Sequence, residues 1–139
     1  MRRRKVLTSL ALTILATITR AEQSNMPNPL QKKFKLRADQ IRDLIRPMGG
    51  ALATDRITVD GMPVGYMYRE KPDRPEDSGW RFFAGDEDQA YVDDPVNTTV
   101  YAVNTIANYD PDIIDYLETP PPCAFEKVEG THKYQRVKQ

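Results

Sequence analysis

The chain has 139 residues, 40% of them hydrophobic and 29% charged, which is one domain's worth. Its lone cysteine, Cys123, excludes both an internal disulfide framework and a cysteine-built zinc site, since each needs a second sulfur. The net charge is zero but unevenly spread: residues 1–71 hold 14 Lys and Arg against 6 Asp and Glu, residues 72–122 hold 2 against 12, and residues 123–139 hold 4 against 2. The acidic middle argues against binding nucleic acid there, and for either a basic partner or a solvated face.

At the N-terminus Arg2, Arg3, Arg4 and Lys5 precede a mildly apolar stretch from Val6 to Thr19, in the order of a secretory leader and too short to span a membrane. Thr8, Ser9, Thr13 and Thr17 dilute that stretch, and Met26 stands just before Pro27 and Pro29. Two readings stand: a leader cleaved near Ala21, or a mis-assigned start with Met26 as initiator. In both, residues 1–25 lie outside the fold, residues 26–139 form a single domain, and no membrane contact remains once residues 1–25 are removed or absent.

Ile41, Leu44 and Ile45 recur at helical spacing, which predicts an amphipathic helix over 36–46 that Pro47 and Gly49-Gly50 terminate. Residues 51–68 read as a hairpin about Asp60-Gly61, pairing Val59 with Met62, Ile57 with Val64 and Asp55 with Tyr66. The breaker-rich segment from Lys71 to Gly79 is a loop. Strand 80–84 follows, and aromatics on both of its faces mark it as central. Asp86 to Pro95 predicts a short helix capped by Asp86, and Val100 to Val103 a short strand. Asp110-Pro111-Asp112 opens a third helix, with an aspartate cap and proline at its first position, which Pro120 to Pro122 stop. Residues 124–128 predict an edge strand. Together these define an α+β domain: a small antiparallel sheet (hairpin 51–68, strand 80–84 and a C-terminal edge strand) with three short helices.

No glycine-rich phosphate loop occurs, because Gly49-Gly50 has neither the lysine nor the spacing. Serine hydrolysis lacks a nucleophile elbow, and His132 is the sole histidine. A Cys123 and His132 dyad needs an electropositive, partly exposed setting that Pro122-Cys123-Ala124-Phe125 does not advertise. Counting a calcium loop from Asp86 places Ala90, Tyr91 and Asn97 where an oxygen ligand, glycine and glutamate belong, so the pattern fails. Capping accounts for Asp86 and Asp110 more simply than acid–base catalysis does. Trp80 suits a core, and is also the kind of side chain that anchors interfaces.

Four runs of residues carry a resemblance: Thr54 to Gly61, Val64 to Glu70, Asp77 to Asp88 (Asp-Ser-Gly-Trp-Arg-Phe-Phe-Ala-Gly-Asp-Glu-Asp), and Val103 to Ile114. Over about residues 34–127 the chain resembles the bacterial immunity-protein family numbered thirty-three, formerly a domain of unknown function. The resemblance implies an α+β domain acting as antidote in a polymorphic toxin system, and brings no catalytic assignment. It departs at Ala102, where an aspartate is expected, and at the Pro120-Pro121-Pro122 run. Members of the family begin near Phe34 without a leader, which favours Met26 as the start and a cytoplasmic location; export is the alternative if residues 1–21 act as a signal.

The resulting expectation is a non-enzymatic immunity protein, with no cofactor and no metal, that binds a cognate toxin of basic surface. Trp80, Asp86, Glu87, Asp88, Asp110 and Asp112 are the candidate contact residues. The alternative is a small accessory, ligand- or metal-binding domain, or an enzyme, with an acidic cleft.

Overall fold

Residues 32–139 are described by the computed structural model. The leader, its cleavage point, the start at Met26 and the boundary at residue 25 all lie outside the described residues. Strand β1 (Gly50–Thr54) turns directly into one helical turn, α1 (Asp55–Thr58). The Asp60-Gly61 pair closes that turn and makes no hairpin. The N–H groups of Val59 and Asp60 donate to Asp55 O at 2.8 and 3.0 Å, and Gly61 N–H donates to Ile57 O at 3.1 Å. Gly61 has φ +75°, a conformation that ends a helix as readily as it makes a tight turn between strands. Strand β2 (Tyr66–Arg69) does not return against β1; Tyr66 faces Phe83 and Glu126 instead, which overturns the hairpin over 51–68.

Strand β3 (Asp77–Phe83) is interior, as its two aromatic faces predict, but it begins within the segment read as a loop. Between Gly50↔Asp77 and Leu52↔Arg81 it spends four residues against two on β1, a bulge. Gly79 takes φ +86° there, and the Ser78 hydroxyl donates to Gly50 O at 2.6 Å and accepts from Trp80 N–H at 3.1 Å. Strand β4 (Thr98–Ala102) pairs along its whole length with β1, and β5 (Cys123–Lys127) lies between β2 and β6 (Tyr134–Arg136). The six-stranded order is β4-β1-β3-β2-β5-β6, with β1 and β3 parallel and the other neighbours antiparallel. The α+β class therefore stands, with a larger, mixed sheet whose C-terminal edge is β6 and not residues 124–128.

Helix α2 (Gln89–Asp93) falls inside the expected span, but its cap is Asp88, which accepts Tyr91 N–H at 2.8 Å, and not Asp86. The element after Asp110 is a 3-10 helix (Pro111–Tyr116), with the aspartate capping it as expected by accepting Asp112 N–H at 3.1 Å. Helix α3 (Val103–Tyr109) was not anticipated. Val103, Ile106 and Ala107, at spacings that share one face, bury it against Trp80, Phe82, Met67 and Phe125 on one side of the sheet. On the other side Tyr66, Tyr68, Phe83, Val92 and Ala124 form a second cluster, in which the Tyr68 and Phe83 rings stack at 5.8 Å. Among the described residues no helix is long and apolar enough to cross a membrane.

The helix expected over 36–46 reduces to one 3-10 turn, Ala38–Gln40. The opposite face of α3 explains why. Asn108 accepts Arg42 N–H at 2.9 Å, Asn104 accepts the N–H of Leu44 and Ile45 at 2.8 and 3.3 Å, and both carboxamides donate to Arg42 O at 2.8 and 2.9 Å. Backbone groups that a helix would pair internally are thus taken by two asparagines one turn apart, and Ile45 and Met48 still reach the core. Replacing Asn104 with alanine is expected to cost about 1 kcal/mol. Hydrogen exchange at residues 42–46 should accelerate while β3 keeps its protection; unchanged exchange in 42–46 would show that the strap is held by other means.

Candidate functional site

Strands β1, β3 and β5 end, and β2, β4 and β6 begin, at one end of the sheet, because each pairs antiparallel with its neighbours except β1 with β3. Asp86, Glu87 and Asp88 follow β3 at that end. Asp110 reaches it by accepting Val64 N–H at 2.9 Å just before β2, and Asp110 and Asp112 together hold Lys127, the last residue of β5, at 2.9 and 3.2 Å. Five of the six expected contact residues are therefore gathered. Trp80 is not among them: it is fully buried within β3, with its indole N–H donating to Leu117 O at 3.1 Å.

Each carboxylate has a local task. Glu87 accepts from the hydroxyl of buried Thr54 and from the N–H of Ala84 and Gly85, the last two at 2.8 and 2.7 Å, so it ties the end of β1 to the loop after β3. Asp86 takes Arg56 Nε at 3.1 Å, while the Arg56 Nη1 group donates to Asp60 at 2.8 Å. Hydrogen bonds from the guanidinium to Asp86 and Asp60 push the Arg56 pKa up. Asp110 is buried; Tyr134 O–H lies 3.4 Å from it and donates to Val64 O at 2.7 Å. Burial pushes the Asp112 carboxyl up, but the hydrogen bonds from His132 and Lys127, at 2.9 and 3.2 Å, outweigh it and hold that pKa below the ordinary value. Burial, together with the nearby charges of Asp55 and Asp60, pushes the Tyr91 phenol up to about 12.

No Lys or Arg occurs from Phe82 to Glu126 against ten Asp and Glu, so the fold supplies the balancing charge from outside that run. Arg56 arrives from α1, Lys127 from β5, and Lys32 pairs with Asp55 at 2.9 Å. Sequence reasoning missed Arg56 and Asp60 as members of this end. The signal available for them was their i, i+4 spacing, which suits an ion pair on a helical turn.

A second charged cluster sits toward the other end of the sheet. Arg81, fully buried, donates from Nε to Glu70 at 3.0 Å, from Nη1 and Nη2 to the two oxygens of Asp77 at 3.0 and 2.8 Å, and from Nη1 to Trp80 O at 2.9 Å. Burial raises the Asp77 carboxyl, yet its bonds from Arg81 and from Gly79 N–H prevail and leave its pKa lowered. The Cys123 and His132 pair is not assembled: Cys123 opens β5 opposite Arg69, and the exposed imidazole lies on Asp112 near the far end of that strand. Cys123 is buried, which pushes its thiol up. Among the described residues no group of three or more His, Cys, Asp and Glu is arranged to hold a metal.

The acid-rich run is thus folded into a small mixed sheet that brings Asp86, Glu87, Asp88, Asp110 and Asp112 to one end. The chain belongs to the immunity-protein Imm33 domain family, whose family model matches residues 51–138. That match runs from β1 to just beyond β6 and so takes in the whole sheet and the acidic end. No curated protein and no solved structure matches the chain. The chain accordingly has an immunity role, and the Asp77 to Asp88 run that carries the resemblance is occupied largely in building the fold: the bulge at Gly79, the ion cluster of Arg81, the buried rings and the Glu87 clamp.

Proposed function

We propose that this chain neutralises a cognate polymorphic toxin by non-enzymatic, stoichiometric binding, and that the acidic end of the sheet meets a basic surface of the toxin. The observation that supports this reading is the exposure of Asp86 and Asp88, with Asp60 beside them, at the end where the fold collects its carboxylates. Asp112 and the rim of Glu87 complete the contact surface, Asp110 supports it from within, and Trp80 belongs to the core of the sheet. Charge of one sign at a rim accelerates encounter more than it deepens affinity, and salt screens it.

Capture with the full chain as bait, followed by washing at low and high salt, tests the reading. The expected result is one stoichiometric protein, released by salt, that is toxic when expressed alone and harmless beside this chain. A captured protein with no toxicity, or a toxin the chain fails to neutralise, would overturn it. Replacing Asp86 and Asp88 together with asparagine is expected to slow association about tenfold at low ionic strength and to flatten its salt dependence, with little change in dissociation. An unchanged association rate would remove the acidic end from the contact. We place the encounter in the cytoplasm, with Met26 as the start; an intact mass beginning at Glu22 would move it outside.

A further inference from the structure

The two edges of the sheet are built differently. Strand β6 is three residues long, with Lys133, Arg136 and Lys138 in and around it, the kind of short charged edge that discourages pairing. Strand β4 is five residues, Thr-Thr-Val-Tyr-Ala, without charge, proline or bulge, and it pairs in unbroken register with β1. Val103 N–H donates to Gly49 O at 3.1 Å, one step beyond Gly50↔Ala102, so the bonded pairs on that ladder continue at Tyr101 with Ala51 and Thr99 with Ala53. Thr98, Val100 and Ala102 therefore turn their N–H and C=O groups away from β1. Thr98 N–H donates back to Pro95 O, and the Ala102 C=O, at the N-cap of α3, belongs to the first turn of that helix, so the outward groups left for a partner are the N–H and C=O of Val100, the Thr98 C=O and the Ala102 N–H. Val100, at the middle, is 50% exposed. The Lys32 ammonium, near the start of the strand, is engaged by Asp55 and by Val96 O at 2.9 and 2.6 Å.

We propose that β4 is a pairing edge for a second copy of this chain, joined antiparallel about a two-fold axis at Val100. In that register Val100 faces Val100 and exchanges two hydrogen bonds with it, and on each side the Ala102 N–H of one copy meets the Thr98 C=O of the other. A slip of one residue sets outward groups against inward ones and forfeits them. No like charges meet, since residues 98–102 carry none. The two sheets become one continuous sheet. One strand pair buries less than the roughly 1,200–2,000 Å² of a standard stable interface, so the dimer is weak and concentration-dependent.

Sedimentation velocity on the full chain, from micromolar to millimolar protein, tests this, with Val100→Pro as the diagnostic variant. The Val100 N–H takes no part in the ladder with β1, so proline removes an outward donor and leaves that ladder whole. The expected result is a monomer–dimer equilibrium whose association constant falls at least about tenfold in Val100→Pro and in Val100→Lys, with unchanged far-ultraviolet circular dichroism. A chain monomeric at every concentration would overturn the proposal, as would a dimer that survives both substitutions. Should Val100→Pro unfold the chain, Val100→Lys alone decides between the same two results.

Discussion

Replacing Asp77 with alanine is expected to destabilise the fold by about 3–5 kcal/mol, because it leaves the guanidinium of Arg81 buried with only Glu70 to balance it. Nη2 of Arg81 would lose its acceptor, Nη1 would keep only Trp80 O, and Gly79 N–H would lose its partner at 2.9 Å. A urea titration should show a lower midpoint at unchanged slope. Replacing Arg81 with methionine should cost less, since an apolar chain of similar volume brings no stranded charge into the site. The pH dependence has a definite sign. The bonds from Arg81 hold the folded pKa of Asp77 below the ordinary aspartate value of about 3.9, so its ionised form contributes stability above that value, and the contribution is lost as pH falls through the folded pKa. The gap between the native chain and Asp77→Asn should be level near neutrality and close under acid, below about pH 4. A gap that widened under acid would show that Asp77 is not the stabilising partner of Arg81.

Replacing Gly79 with alanine is expected to cost about 3 kcal/mol or more, in a different currency: backbone strain and a clash. At φ +86° an added Cβ would stand 2.1 Å from Glu70 O, a backbone oxygen just past the end of β2 that is held in place because Glu70 N–H donates to Gly79 O at 3.0 Å. Gly130 is the control, since its φ is +75° but a Cβ there meets nothing within 4 Å; alanine at that position is expected to cost only about 1 kcal/mol. Thermal unfolding of the two variants separates the terms, and equal losses would contradict a tight bulge at Gly79. The effects of Asp77→Ala and Gly79→Ala should not add, because Gly79 N–H is bonded to the Asp77 carboxylate.

Where a residue's partner is close in sequence, the fold was legible in advance. The aspartate cap at Asp110, the proline after it, and the interior position of the strand containing Trp80 all follow from neighbours within a few residues. The hairpin failed because Asp-Gly satisfies a helix end as well as a tight turn, and the choice between them was made by the distant pairing of β1 with β3 and β4. The helix over 36–46 failed for a related reason: its apolar spacing was real, but Asn104 and Asn108, some sixty residues away, claim its backbone. The candidate site divides along the same line. Its acidity was visible as composition, whereas Arg56, Lys32 and Lys127, which balance it, are brought there only by the tertiary fold. Trp80 was weighed as core or contact, and the indole bond to Leu117 O places it in the core.

The Imm33 family assignment accounts for what the chain is selected to do, and the fold accounts for which residues remain to do it. The signature residues from Asp77 to Gly85, with Glu87, hold strands together, so substitutions among them should act first through stability, and those at Asp86 and Asp88 through association. The decisive measurement is a titration of the captured toxin's activity with purified chain. Activity that falls in proportion to added chain, reaches its floor at one equivalent, and returns in full when the complex is dissociated is the outcome expected of a binding antidote. Loss of activity at a small fraction of an equivalent, or a toxin recovered chemically altered, would mean that the chain acts as an enzyme and would contradict the proposed mechanism.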